Sequence, residues 1–458
     1  MKVFSDRFRP VPDRSGVRAL IAGSVGNFIE WYEFGVYGYF ATVIAARFFT
    51  PAGGGAAEGL VRTYAAFALA FFFRPLGAAL YGRLGDRVGR RPVLILVIAL
   101  MTGATTLIGV LPTYATAGAL APWLLTFLRV VQGLSAGGEF GGAVSVLTEF
   151  APPGRHGLYG AWQSFTVALG LLGGAGVAAL LATVLDPVQL GDWGWRLPFL
   201  LALPMGLGAL WLRLRLEETP SFRNGPVRVV PPAREVRAAI ALGAGRVMGW
   251  AAAGYTFLVV LPSYLQSTLG ASFRQALLAT VLANAGFAVA VLPAGLLSDR
   301  VGRRPVMVTG AVLVVVLSVP LLNLLQDGGT SDAVMGVGVF GAGAVVGLMA
   351  GPGPAMLSEL FPTSVRHTGL GLAYALSNAV FSGCAGLIIT RSAERTGNAD
   401  IPAYYAAAAC AVSVLALTVG KRPVGQAGRE DTDAGDRADV RDVVRRDRRG
   451  GGRAEPRR

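Results

Sequence analysis

Apolar residues in this chain gather into twelve runs, each long enough to cross a lipid bilayer. A hydrocarbon core about 30 Å thick takes roughly 20 apolar residues per helix. Such runs lie at 18–45, 59–82, 92–112, 120–148, 157–183, 195–213, 239–265, 274–297, 306–326, 333–357, 369–391 and 401–420. No water inside a bilayer can satisfy a bare backbone, so only helices and closed barrels span it. The runs are continuous and lack the two-residue alternation of barrel strands, which makes them helices. Composition agrees: 15% of the 458 residues are charged and 53% are hydrophobic, whereas a soluble domain carries about a quarter charged. The lipid bilayer is therefore the first partner of this chain. Its 63 glycines suit helices that pack backbone to backbone. The first run is too long, and with Glu30 and Glu33 too polar, to be a cleaved signal peptide.

Orientation follows from the basic residues, which concentrate in cytoplasmic loops. With the N-terminus inside, 32 of the 41 Lys and Arg residues fall in the N-tail, the loops after even-numbered spans and the C-tail. Both termini are expected in the cytoplasm, and the plasma membrane is the expected location. The net charge of +14 is thus a topology signal and implies no nucleic-acid partner. The tail 421–458 mixes 12 basic with 8 acidic residues and few apolar ones, a composition expected to stay disordered. Cys384 and Cys410 lie in apolar stretches, and His156 and His367 read as loop residues. Neither a disulfide framework nor a metal cluster can be built from them, so no metal or cofactor is expected.

One octapeptide, DRVGRRPV, occurs at Asp86–Val93 and again at Asp299–Val306. Glu149–Pro152 with Arg155, His156 and Gly157 is echoed by Glu359–Pro362 with Arg366, His367 and Gly369 at nearly the same offset. The expected fold is therefore all-α and membrane-embedded: twelve helices in two six-helix bundles repeated in parallel. Its divisions are an N-tail (1–17), a first bundle (18–213), a linker (214–238), a second bundle (239–420) and the tail. Parallel repeats of this kind enclose a cavity between them that opens to either side in turn. The loops should gate that motion. Gly82, Gly89 and Gly302 turn the chain, Arg87, Arg90, Arg300 and Arg303 hold it in water, and Asp86 and Asp299 accept from helix N-termini or pair with arginine.

Gly82–Arg91 resembles the loop signature of the major facilitator superfamily. The resemblance narrows to its metabolite:proton symporter family through Gly26–Phe34, Phe73–Gly77, Arg129 to Gln132–Gly133, Gly137–Gly142, Gly194–Phe199, Glu218–Phe222 and Glu359–Thr363. It covers about residues 16–420. One departure is Glu33, where the family usually has Asp. Members importing proline and betaine can carry a coiled-coil tail, but this tail has no heptads.

Charges inside a membrane are costly and mark function. Glu30 and Glu33 share a helical face with Asn27, Arg74 and Arg129 lie within spans, and Glu139 lies ten residues beyond Arg129. A carboxylate removed from water holds a proton and releases it when water returns, so the proton carrier is expected to be Glu30 or Glu33 first and Glu139 second. Fixed ion pairs, Glu33 with Arg74 or Glu139 with Arg129, are the alternative. Arg74, then Arg129, suits a substrate carboxylate, whereas Arg246 is expected to snorkel. Trp31, Tyr32, Trp162, Gln163, Trp250, Tyr255, Tyr374 and Asn378, with Asn27, supply aromatic and amide groups on cavity-forming spans. Aromatic faces suit a quaternary ammonium; a di- or tricarboxylate would suit the arginines better.

The expected activity is proton-coupled import of a small carboxylate-bearing solute, an osmolyte such as proline or betaine or an organic acid such as α-ketoglutarate, citrate or shikimate. The chain is expected to act as a monomer. The alternative is a proton antiporter exporting drugs or metabolites. Drug antiporters of the superfamily carry a Gly-Pro pair in the fifth helix; residues 157–183 have Gly170, Gly173, Gly174 and Gly176 but no proline. A membrane enzyme would need a nucleophile and acid/base set that these residues do not form.

Overall fold

The computed structural model describes residues 14–51, 54–88, 90–137, 139–149, 151–214, 231–362 and 364–419. Every regular element among them is helical. Twelve long helices account for the twelve apolar runs. The first six are α1 (Arg14–Tyr39), α2 (Ala56–Val88), α3 (Arg90–Val110), α4 (Leu120–Ala136, continued by Glu139–Glu149), α5 (His156–Val184) and α6 (Gly194–Leu214). The second six are α7 (Ala233–Ser267), α8 (Phe273–Val301), α9 (Arg303–Gln326), α10 (Asp332–Ser358), α11 (Arg366–Thr396) and α12 (Ile401–Thr418). Ten are long and apolar enough to cross a bilayer; the others are α1, polar at its middle, and the divided α4. Large apolar side chains such as Trp123, Phe127, Val337 and Leu415 stand exposed on the outer face, as lipid contact requires. The protein is an integral membrane protein.

The duplicated sequence is also duplicated in packing. In the first half α2 and α4 lie backbone to backbone: a Cβ at Gly133 would run into the Ala70 carbonyl, and one at Gly77 into Leu134. In the second half α8 and α10 repeat this, with Gly343 against the Ala283 carbonyl and Gly286 against Phe340. Small residues bring helices this close because lipid supplies little hydrophobic drive for association. The halves meet chiefly where α5 packs on α8 and α10, and where α11 packs on α2 and α4.

Several expectations change in detail. The turn between α8 and α9 is a single residue, Gly302, at φ 96°, a conformation that favours glycine; Asp299–Val301 are still helical. Its first-half counterpart Gly89 lies outside the described residues, as do the side chains of Asp86, Arg87 and Arg90. Gly82, expected to turn the chain, lies instead within the helix α2. The linker ends early, because α7 begins at Ala233. Residues 215–230 and the tail from 420 onward lie outside the described residues. Both histidines, expected in loops, stand instead in the first turns of α5 and α11.

Arg246 does not snorkel. It is 2% exposed, and its guanidinium donates to the carbonyls of Ala416 (3.1 Å) and Val419 (2.9 Å) at the end of α12. Carbonyls in the last turn of a helix lack intrahelical donors, and a cation there satisfies them and the helix dipole together.

Candidate functional site

Three stretches leave the α-helical register, and those in α7 and α11 do so where the halves face each other. Five- and six-residue π turns occur at Ala45–Phe49 beyond α1, Thr256–Val260 in α7 and Asn378–Gly383 in α11. Such turns rotate the side chains that follow and are frequent at functional sites. Tyr255 immediately precedes one, and Asn378 and Ser382 belong to another. These residues line a cavity of about 30 Å³ between the halves, with Trp31, Trp250 and Tyr374 forming its aromatic walls. That volume has room for about two waters.

Contacts close both ends of the cavity. At the end bearing the arginine-rich turns, here the basic end, Asp299 accepts from the amides of Gly157 (2.7 Å) and Leu158 (2.9 Å) at the start of α5. It also pairs with Arg303 at 2.6 Å, which reaches Glu359 at 3.1 Å. Asp299 therefore both receives helix amides and pairs with arginine, and it joins the two halves. Arg300 is exposed on the last turn of α8. Above that contact Tyr374 stacks on Phe140 with ring centroids 3.5 Å apart. At the far end Tyr64 and Ser263 share a hydroxyl–hydroxyl bond of 2.7 Å, Thr42 donates to Gln266, and Arg391 meets Glu58 at 3.2 Å.

Behind Trp31 lies a buried charged layer. Arg74 pairs with Glu30 at 3.3 Å, both almost fully buried. The Arg74 guanidinium carbon sits 4.3 Å and 4.2 Å from the ring centres of Phe34 and Phe71, and 5.6 Å from Trp31. Pro75 follows Arg74 inside α2 and frees the carbonyl one turn back. Arg129, fully buried, faces the rings of Tyr37 (4.1 Å) and Phe67 (4.9 Å). A relay joins it to Glu33: Arg129 donates to Gln132 (2.7 Å), Gln132 to Thr105 (2.6 Å), and Thr105 to the Glu33 carboxylate (2.8 Å). The expected pairing of Glu33 with Arg74 is thus corrected, because Glu30 takes that place. The side chain of Glu139 lies outside the described residues.

Of the residues expected to bind substrate, Trp31, Tyr255, Tyr374 and Asn378 line the cavity, and Arg74 lies just behind it. Four others are not brought there. Tyr32 donates to the Pro198 carbonyl at 3.0 Å, inside the first half. Asn27 donates to the Gln163 carbonyl and to Thr166, so Asn27 and Gln163 hold α1 to α5. Trp162 is 38% exposed and donates to Ser24. Sequence reasoning missed Ser382, which donates to Asn378 at 2.8 Å. It also missed Phe34, Phe67 and Phe71, whose rings hold the arginines. Their spacing, Phe67 and Phe71 on one face of α2, was a signal, but aromatic residues at helical spacing usually mean packing.

Residues 19–241 match the model of the sugar (and other) transporter family, and residues 242–449 match the major facilitator superfamily model. An ectoine/proline transporter of Corynebacterium glutamicum is 36% identical over 90% of this chain and 85% of its own length. A citrate-proton symporter of Klebsiella pneumoniae is 34% identical over 87% of this chain and 90% of its own length. The chain belongs to the major facilitator superfamily. Within it, the chain belongs to the metabolite:proton symporter family. A crystal structure of a D-xylose-proton symporter superposes with a TM-score of 0.70 at 19% identity, covering 88% of this chain and 96% of that one. At that identity it supports the fold alone, with twelve helices in two halves. This family member is accordingly a secondary transporter of small solutes and not an enzyme.

Proposed function

We propose that this transporter is a proton-coupled symporter importing a small zwitterion, one carrying both a carboxylate and an ammonium group, by alternating access. The observation that carries the reading is the Glu30–Arg74 pair set behind the Trp31 wall of an aromatic cavity. Four aromatic side chains, Trp31, Trp250, Tyr255 and Tyr374, can face an ammonium group through their ring quadrupoles. No lining residue of the cavity is charged. A tricarboxylate would need several cations at that wall, whereas a zwitterion needs one, and Arg74 supplies it through a forked pair of hydrogen bonds.

Coupling follows from competition. Arg74 has Glu30 as its carboxylate partner while no cargo is bound. A cargo carboxylate reaching Arg74 displaces Glu30. Left without its counter-charge in a low dielectric, Glu30 is stabilised by taking up a proton. Once cargo has left, loss of the proton restores the pair; cargo that returns first meets Glu30 still protonated. The concentration of Lys and Arg in loops at the basic end supports the reading that this end faces the cytoplasm, with the plasma membrane as the proposed location.

Purified transporter is tested by thermal shift against glycine betaine, proline, α-ketoglutarate, citrate and shikimate. Zwitterions should raise the melting temperature and citrate should not; a shift with citrate alone overturns the substrate reading. Uptake into energised vesicles should collapse with a protonophore, and full accumulation in its presence overturns proton coupling.

A further inference from the structure

Glu30 does not line the central cavity. It lines a second one of about 20 Å³ inside the first half, walled by α1, α3, α4 and α6, with Gly26, Val97, Thr102, Ser135 and Ala209 among its residues. The two cavities share no lining residue. Val97 is seven residues from the start of α3 and Ala209 five from the end of α6, both in the half of the helix nearer the basic end. The second cavity therefore extends from Glu30 toward that end, away from the aromatic wall.

Its polar groups suit a water molecule. The Thr102 hydroxyl is buried and has no hydrogen-bond partner among the described residues, a costly state unless water reaches it. Ser135 donates to the Val131 carbonyl at 2.9 Å and keeps lone pairs to accept with. With the Glu30 carboxyl these make three partners. Three is the usual number for a buried water, and the volume suffices for one.

We infer that this cavity holds a water that relays the Glu30 proton to the basic end through the interior of the first half, so that proton and cargo leave by different routes. The inference rests on the reading of Glu30 as proton carrier. When Glu30 is protonated, its O–H bond breaks as the water gains that proton. The water passes one of its own protons to solvent at the basic end and is regenerated. Glu30 returns as a carboxylate to Arg74. Thr102 and Ser135 are positioning residues that hold the water in line.

The experiment uses vesicles reconstituted with the full chain, labelled proline as cargo and an internal pH dye. Thr102→Val with Ser135→Ala should slow proton-driven uptake and dye response about tenfold, the rate equivalent of one lost ordering hydrogen bond. Exchange of labelled for unlabelled proline at equal pH should keep its wild-type rate, because cargo leaves and returns while Glu30 keeps its proton. Thr102→Ser, which retains the hydroxyl, should restore the driven rate, and Ala209→Leu, which fills the cavity, should reproduce the loss. A wild-type driven rate in the double variant, or equal loss of both rates, overturns the relay. Glu30→Gln separates the two readings: accumulation persisting in that variant removes Glu30 as carrier, whereas loss there with normal Thr102→Val, Ser135→Ala transport removes only the relay.

Discussion

At the residue scale, the decisive features are which carboxylate meets which cation and what surrounds the pair. Glu30 and Glu33 are one turn apart, and their spacing does place both toward the interior. What spacing could not show is that one reaches Arg74 while the other accepts from Thr105 on α3. Arg74 is a planar cation lying over the rings of Phe34 and Phe71, and lysine cannot reproduce either that aromatic contact or the fork. Arg74→Lys should therefore lower the initial rate of proline uptake at least about tenfold, mainly through a higher KM. The half-exposed Arg62, paired with Glu58 one turn away, should tolerate Arg62→Lys with an unchanged rate. Arg246→Lys should leave KM alone and lower the melting temperature, since losing its bonds to Ala416 and Val419 costs about 1–3 kcal/mol.

At the scale of elements, glycine decides how near the helices come. Repeated loops announced the internal duplication, but the repeated helix contacts, Gly133 on α2 and Gly343 on α8, were hidden among 63 glycines. Gly133→Ala and Gly343→Ala should each destabilise by about 1–3 kcal/mol, because the added methyl meets a backbone carbonyl that cannot rotate away. Gly176→Ala, with nothing near the new methyl, should be neutral or slightly stabilising. Melting of the three variants in one detergent checks the contrast. The π turns in α7 and α11 belong to this scale too. Their sequences, TFLVV and NAVFSG, carry no marker that separates them from ordinary helix, and both turns pack against the opposite half.

At the scale of the whole molecule, the two closures stand on opposite sides of one cavity and should be separable. Asp299 ties the halves at the basic end through the first amides of α5. Asp299→Ala should free that end. At the far end Gly386 lies against the Tyr64 ring, and Gly386→Ala should wedge the halves apart there. A cysteine at Ser382, in a chain lacking Cys384 and Cys410, reports the result. Asp299→Ala should speed its labelling from the basic end only, and Gly386→Ala from the far end only. Equal labelling from both ends in either variant would mean that the closures do not act as alternating gates.

The sequence alone determined that this chain lies in a membrane, how many times it crosses, that it is built twice over and which ionisable groups are inside. Each of these depends on the energy of removing apolar, peptide or charged groups from water, a cost carried by the local chain and therefore written in it. The tertiary structure decided the partners: Glu30 rather than Glu33 for Arg74, Tyr32 and Trp162 away from the cavity, Arg246 on the end of α12, and a second cavity behind Glu30. Such choices depend on distances of a few ångströms between residues far apart in the chain, which are set only when helices pack and a neighbouring glycine lets one backbone approach another.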